Sequence, residues 1–266
     1  MEIIIRPNRL ESQKINTEFR NTVFRKKMDL ESDRISGRVC SLFLQPMARH
    51  LLIQPVDEHD SDYLPEEVRL IEAASAERFS LVAFRIEDWN RELTPWAAPP
   101  VFGTVPFGDG AEDTLAFITG QLLPELQERG TDTSRCLLGG YSLAGLFALW
   151  AGYRTDRFDG IAAVSPSVWY PGWTAYATDR TPLAKAVYLS LGDREEKARN
   201  PIMAQVGNAI RRQEELLQLQ GVHAKLEWNT GNHFVDSEKR MAKGFSWLMD
   251  CFNDNDNDNE NENDSN

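Results

Sequence analysis

Cysteine is scarce in this sequence, and the cysteines present form no motif. Only three occur among 266 residues, at Cys40, Cys136 and Cys251, and none lies in a C-x-x-C spacing. An odd number of widely separated thiols argues against a disulfide framework and against a structural zinc site. We therefore expect a protein of a reducing cytoplasm that carries no structural metal.

Long hydrophobic runs and an excess of positive charge are missing as well. The apolar run at residues 3–5 is too short for the core of a signal peptide, and nowhere do eighteen apolar residues follow one another. The formal net charge is −12. The last 15 residues carry six acidic side chains and no basic one, which leaves −6 for the rest of the chain. An acidic surface repels nucleic acid and anionic lipid, so we expect neither as a partner.

Apolar runs alternate with amphipathic stretches over most of the chain. Short, nearly continuous apolar segments such as 136–138, 160–164 and 186–191 are typical of parallel strands covered on both faces. The alternation predicts a doubly wound, mostly parallel α/β domain over residues 38–251. Residues 1–37 are polar and remain unassigned, either as edge strands or as an arm. Residues 252–266 cannot bury enough apolar surface to fold, so we expect an acidic, disordered tail.

The motif with the most chemical content is GGYSLAG at residues 139–145, which lies between a predicted buried strand and a predicted helix. A strand that turns at once into a helix needs small residues two positions before and after the serine, and Gly140 and Ala144 meet that need. Ser142 is then exposed at the carboxyl edge of the sheet as a nucleophile. The N–H of Leu143, at the start of the helix, is free to bind an oxyanion. This arrangement predicts an α/β-hydrolase fold.

A serine nucleophile needs a base, and the chain offers only four histidines. His233 lies in a Gly-Asn-His loop after the last predicted strand and before the last predicted helix, where this fold keeps its base. His50 and His223 flank strands and are better explained as structural or surface residues. We therefore expect His233 to activate Ser142.

The third member of a triad should follow the strand between the serine and the histidine. The segment after that strand reads LGDREE and contains three carboxylates, Asp193, Glu195 and Glu196. In this fold the acid usually falls three residues after the glycine that ends the strand, which favours Glu195. Asp193 is the second choice and Glu196 the third.

With these segments the chain resembles the esterase branch of the α/β hydrolases, the group of S-formylglutathione hydrolases, feruloyl esterases and enterochelin-type siderophore esterases. The resemblance covers residues 38–251 and includes the SPSVW segment at 165–169. It implies that Trp169 lies near the serine and helps to form the substrate pocket, although Trp169 has the alternative of a core position. It also implies that some relatives work with a Ser–His pair alone.

A second oxyanion donor is expected from the loop after an early central strand, at the N–H of Val56 or Asp57. The same loop is acidic over residues 57–62, but consecutive loop carboxylates without partner histidines rarely hold a metal, so we predict no metal and no cofactor.

The sequence thus predicts a serine esterase that acts on a small-molecule ester through an acyl-enzyme. An acyltransferase, a thioesterase or amidase, a non-catalytic binding protein on the same scaffold and a protein acting through its acidic tail are the alternatives. Substrate identity and oligomeric state stay open.

Overall fold

The computed structural model of the protein describes residues 30–101 and 103–263, with side chains as far as Asn253. Its strands are β1 (Glu31–Ile35), β2 (Arg38–Phe43), β3 (His50–Val56), β4 (Phe79–Arg85), β5 (Cys136–Tyr141), β6 (Gly160–Val164), β7 (Ala186–Gly192) and β8 (His223–Asn229). Its α-helices are α1 (Glu58–Ser61), α2 (Leu64–Ala74), α3 (Trp89–Glu92), α4 (Ala111–Phe117), α5 (Leu123–Glu128), α6 (Leu143–Gly152), α7 (Trp173–Thr178), α8 (Val206–Leu219) and α9 (Ser237–Asn263). A π-helical segment, Ile118–Leu122, joins α4 to α5, and short 3₁₀ helices cover Glu195–Lys197 and Met203–Gln205.

All eight strands belong to one sheet in the order β1-β2-β4-β3-β5-β6-β7-β8. The six strands β3 to β8 run parallel to one another, while β2 pairs antiparallel with β4 and β1 antiparallel with β2. Every residue of β3, β6 and β7 is buried, which explains their almost unbroken apolar sequence. The predicted α/β-hydrolase fold with a doubly wound, mostly parallel sheet is confirmed.

Apolar layers cover both faces of this sheet. On one face α2 and α9 pack through residues such as Val68, Ile71 and Phe245. On the other face the chain from α4 to α8 packs through a larger cluster that contains nearly all of α6. Because α6 is buried along its whole length, it is apolar on every side, as its sequence LAGLFALWAG requires. Within the described residues, no helix is long and apolar enough to cross a membrane.

The two ends of the domain differ from the expected boundaries. Strand β1 pairs with β2 across a tight turn at Ser36 and Gly37, both at positive φ, so the sheet begins before residue 38. The earlier part of the unassigned segment, residues 1–29, lies outside the described residues. At the other end α9 continues to Asn263, although a disordered tail was expected from residue 252. Once a helix is established, adding residues costs little, so the polar tail can extend it without a core of its own.

Two helix starts lie away from the residues that local sequence favours. By its residue type and place, Asp113 is a candidate N-cap for the helix before β5, but α4 begins at Ala111 with Gly110 as its N-cap, and Asp113 lies in the first turn. The amphipathic segment after Pro201 becomes α-helical only at Val206, where α8 begins after a 3₁₀ turn. Local propensity leaves such boundaries uncertain by a few residues.

Candidate active site

Ser142 is held in a strained turn between β5 and α6. Its φ of +59° and ψ of −119° lie outside the regions that non-glycine residues prefer, and such strain concentrates at functional sites. A Cβ atom on Gly140 would collide with the backbone of Ala144, so the turn accepts only glycine there. Gly145 is nearly as constrained, because a Cβ on it would lie 2.9 Å from the Gly140 carbonyl oxygen. These contacts explain the small residues of the motif.

Leu143 is the first residue of α6, a helix of ten residues. Its N–H is therefore among the amides at a helix N-terminus that have no acceptor within the helix. The Ser142 N–H, by contrast, donates to the Val164 carbonyl on the neighbouring strand β6. The Ser142 Oγ lies 3.5 Å from the Ser167 Oγ, and the Ser167 N–H donates to the Ser142 carbonyl, so the SPSVW segment is packed directly against the turn.

His233 and Glu195 form a short pair at the same edge of the sheet. The distance from His233 Nδ1 to Glu195 Oε2 is 2.7 Å. The second oxygen of Glu195, Oε1, accepts hydrogen bonds from the Ser165 hydroxyl and the Gly192 N–H at 2.7 and 2.8 Å. Burial by itself would raise the pKa of Glu195, but the hydrogen bond and charge of His233 and these other donors outweigh it and hold the pKa below its usual value. Glu195 is therefore a carboxylate that fixes the imidazole by its Nδ1 side.

The other two carboxylates considered from the sequence have different partners. Asp193 accepts a hydrogen bond from the Gly231 N–H at 2.9 Å and so ties down the loop that carries His233. Glu196 is paired with Arg211 on the surface at 3.1 Å. Of the three, Glu195 is the one that the structure brings to His233.

Arg240 is a part of the site that sequence reasoning missed. It is 1% exposed and donates to Glu195 Oε1 at 2.9 Å, to the hydroxyls of Tyr141 and Ser165, and to the carbonyls of Thr230 and Asn232. The Tyr141 hydroxyl in turn donates to the His233 carbonyl at 2.8 Å. Arginine within the otherwise apolar inner stripe of α9 was the available signal, since a buried guanidinium needs a buried partner.

Ser142 and His233 line one open cavity of about 410 Å³ at the carboxyl ends of the strands. The remaining lining residues come from the segment after β3 that contains α1, from α3, from the end of β5, and from the His233 loop with the start of α9: Asp57, His59, Asp60, Tyr63, Trp89, Tyr141, Phe234, Asp236, Ser237 and Glu238. A cavity of this size suits a small organic ligand.

Two predicted residues lie outside the lining of this cavity. Trp169 is half-buried, and its ring packs near Phe107 with the ring centroids 6.2 Å apart. Val56 is the buried last residue of β3 and borders a neighbouring recess. Asp57, one residue further on, does line the cavity, and its side chain caps α1 by accepting the Asp60 N–H at 2.8 Å. Among the described residues, no group of three or more potential ligands is arranged to hold a metal ion.

The chain is similar to a family of hydrolases at the level of sequence. The model of the family described as putative esterase matches residues 66–237, a range that contains Ser142, Glu195 and His233. A search of curated proteins finds no significant match.

Solved structures of hydrolases share the fold. An IroE-like serine hydrolase from Shewanella oneidensis has a TM-score of 0.69 at 17% identity, covering 82% of this chain and 79% of that one. The siderophore hydrolase EstB from Aspergillus nidulans has a TM-score of 0.60 at 20% identity, covering 82% and 93%. The enterobactin esterase FES from Shigella flexneri has a TM-score of 0.60 at 16% identity, covering 81% of this chain and 56% of that one. At these sequence identities the similarity shows a shared fold and nothing further.

Proposed function

Because the chain belongs to the putative esterase family, which confirms the predicted class of carboxylic ester hydrolase, we propose that Ser142, His233 and Glu195 carry out the hydrolysis through an acyl-enzyme. The observation that supports this most is the 2.7 Å pair between His233 and the buried carboxylate of Glu195, together with a cavity that is lined by both His233 and the serine of the strained turn. Nucleophile, base and orienting acid follow one another in the chain in the order of this fold.

In the proposed mechanism His233 takes the proton of Ser142 as the hydroxyl oxygen attacks the ester carbonyl. Glu195 accepts the Nδ1–H of the imidazole, so Nε2 is the nitrogen that faces the serine, and the carboxylate stabilises the imidazolium that forms. His233 then gives the proton to the leaving alcohol. Water enters, loses a proton to His233 and attacks the acyl carbonyl. The bond to Ser142 Oγ then breaks, the acid leaves, and His233 returns the proton to Ser142 Oγ. No step calls for a cofactor.

The negatively charged oxygen of the tetrahedral intermediate is stabilised by two hydrogen-bond donors, which together form the oxyanion hole. The Leu143 N–H is the first, at the start of α6. We assign the second to the loop after β3, at the N–H of Val56 or of Asp57, and Asp57 has in its favour that it lines the cavity. Trp169 remains our candidate for a wall of the acyl or alcohol pocket, because its segment packs against Ser142 through Ser167. We further propose the cytoplasm as its compartment, since its three cysteines form no disulfide bond.

Hydrolysis of 4-nitrophenyl butyrate by wild-type protein and by three variants tests the assignment. Ser142→Ala and His233→Ala are expected to lose activity on the order of 10⁴-fold or more, and Glu195→Gln on the order of 10²-fold or more. Glu196→Gln is the matched control, because this neighbouring carboxylate faces Arg211 rather than the imidazole. Equal losses in Glu195→Gln and Glu196→Gln would refute the role of Glu195.

A further inference from the structure

Negative charge dominates the lining of the cavity that holds Ser142. Four carboxylates, on Asp57, Asp60, Asp236 and Glu238, line it, and none of its described lining residues is lysine or arginine. Among the described residues, Lys239 Nζ lies 3.0 Å from the carboxylate of Asp236 and also interacts electrostatically with Glu238, whereas Asp57 and Asp60 form no ion pair with lysine or arginine. A cavity with this charge attracts a cationic ligand and repels an anionic one.

A small recess of about 20 Å³ lies beside the cavity, between β3, α2 and the start of α9. It shares lining residues with the cavity, among them Tyr141, which directly precedes Ser142, and Asp60. Glu67 also lines the recess and is only 4% exposed. Its Oε2 accepts a hydrogen bond from Gln54 at 3.1 Å, whereas its Oε1 has no hydrogen-bond partner among the described residues. A buried carboxyl oxygen without a partner is costly unless something completes its hydrogen bonding.

Burial and neighbouring carboxylates dominate the pKa values of the carboxyls around the recess. Burial raises the pKa of Glu67 to about 8, and the nearby Asp60 and Glu238 add to the shift, although the hydrogen bond from Gln54 opposes it. Burial, together with the charge of Asp57, raises the pKa of Asp60 to about 6, although His59 and His233 oppose this shift. Both shifts have the direction expected where buried carboxyls crowd together. A cation bound between them would lower both pKa values.

The proposed chemistry indicates which half of an ester lies on this side. His233 must hand its proton to the leaving alcohol, so the alcohol has to lie against the loop that carries His233. Asp236 lies in that loop and Glu238 at the start of α9, three and five residues after His233. These two carboxylates are therefore on the side of the alcohol, and Glu238 also lines the recess together with Asp60 and Glu67. Trp89 and Tyr63 add aromatic faces, which attract alkylammonium groups.

Building on the proposed ester hydrolysis, we propose that this cavity selects esters whose alcohol part carries a primary ammonium group, with Asp60 and the recess at Glu67 receiving the charged head. An ammonium group has three N–H donors and the size of a water molecule, which fits a recess of this volume. The unpartnered Oε1 of Glu67 would accept one of these donors.

Three butyrate esters that differ only in the end of the alcohol test this inference. These are 6-aminohexyl butyrate, its neutral analogue heptyl butyrate and the anionic 5-carboxypentyl butyrate, each followed by butyrate release. We expect kcat/KM for the ammonium ester to exceed that for the heptyl ester by about tenfold at low ionic strength, with the carboxylate ester slowest. Added salt should reduce the preference.

Variants connect the preference to its residues. In Glu67→Gln and Asp60→Asn the ratio of kcat/KM between the ammonium and heptyl esters should fall several-fold. Asp156→Asn is the matched control, since this exposed aspartate lies between α6 and β6, at the opposite edge of the sheet. The ratio of kcat/KM between the two esters in Asp156→Asn should equal that of the wild type. The assignment would be overturned if Glu67→Gln and Asp60→Asn kept the same ratio as Asp156→Asn.

The outcomes separate this inference from the proposed function. If wild-type protein hydrolyses the heptyl and ammonium esters equally well, the charge selection is refuted while the hydrolase remains. If no ester is hydrolysed, the proposed function fails, and calorimetric binding of the same esters to the Ser142→Ala variant decides the inference alone. Tighter binding of the ammonium ester supports it, and equal binding overturns it.

Discussion

The carboxylate of Glu195 is buried and accepts four hydrogen bonds, and two of the donors, on His233 and Arg240, can carry a positive charge. A buried charge is tolerated only where partners replace its lost hydration. Arg240 supplies that compensation from α9 and at the same time holds Tyr141 and two carbonyls of the His233 loop. It is a positioning residue: its contacts are with the acid and the loop of the base.

Arg240→Met therefore removes a buried partner without creating a large cavity. We expect a loss of about 3–5 kcal/mol in the free energy of unfolding, because Glu195 is left buried with one fewer cation. In protein that folds, kcat should fall while KM changes little, since the imidazole loses its fixed orientation.

Urea unfolding and steady-state kinetics measure both effects. Arg211→Met is the matched control, because it breaks an exposed pair with Glu196 and should cost at most about 1 kcal/mol. Equal costs for the two variants would contradict the role given to Arg240.

Glu67 gives the protein a pH dependence of stability. Its pKa is about 8 in the folded protein, raised from the 4.5 of an unhindered glutamate. Between these values the folded state binds more protons than the unfolded state, so the free energy of unfolding falls as pH rises from 4.5 to 8. Glu67→Gln removes this dependence. The free energy of unfolding of the variant, relative to that of the wild type, should rise by on the order of a few kcal/mol between pH 5 and pH 8, as measured by urea unfolding at both pH values. A difference between the two proteins that stays constant with pH would contradict the raised pKa of Glu67.

At the scale of elements, the turn between β5 and α6 is the part that sequence predicts best. The glycine at 140 follows from a contact with Ala144, four residues away, so this part of the motif contains its own explanation, whereas Gly139 is required by the distant ring of Phe245 on α9. The spacing of three residues from Gly192 to Glu195 was equally local. Arg240, by contrast, reaches Glu195 across 45 residues of chain, and only the packed structure brings the two together.

The hairpin of β1 and β2 shows a different limit. Ser36 and Gly37, both at positive φ, form a two-residue turn of the kind that joins adjacent antiparallel strands. The sequence contains that signal, but β1 is a polar edge strand without alternating apolar residues, so its periodicity is weak. Sequence reasoning therefore left the segment unassigned.

The close packing of the turn at Ser142 predicts that a larger residue at position 140 destabilises the protein. Gly140→Ala introduces a Cβ that collides with the backbone of Ala144, so we expect loss of folded, soluble protein or a drop of several degrees in Tm. Gly120→Ala is the control: a Cβ there meets nothing within 4 Å, and an exposed helical glycine changed to alanine should stabilise by about 0.5–1 kcal/mol. Thermal unfolding compares the two, and unchanged stability in Gly140→Ala would contradict the packing described for the turn.

For the whole molecule, the parallel sheet explains why distant residues form one site. Asp57 follows β3, Ser142 follows β5, Glu195 follows β7 and His233 follows β8. Because the carboxyl ends of parallel strands meet at one edge, these four positions converge there whatever their separation in sequence. The topology could be predicted from alternating strands and helices. The acidic character of the cavity could not, since it depends on which loops border the opening.

The C-terminal helix sets the length of chain that the fold needs. Phe252 is buried at 6% exposure, and Asn253 Oδ1 lies 3.1 Å from His50 Nε2. A chain ending at Asn253 should keep the stability and esterase activity of the full chain, since the sequence beyond it contains no apolar residue that could be buried. A chain ending at Asp250 loses Phe252 and should be less stable by about 3–5 kcal/mol. Thermal unfolding of both truncations checks this, and loss of activity in the longer one would favour a function for the tail.

The most direct test of the central claim is labelling with a fluorescent fluorophosphonate, followed by mass spectrometry of the modified peptide. Wild-type protein should be labelled at Ser142, Ser142→Ala and His233→Ala should not be labelled, and His223→Ala should be labelled like the wild type. Folded wild-type protein that stays unlabelled, or label that persists in Ser142→Ala, would contradict an activated serine at this site.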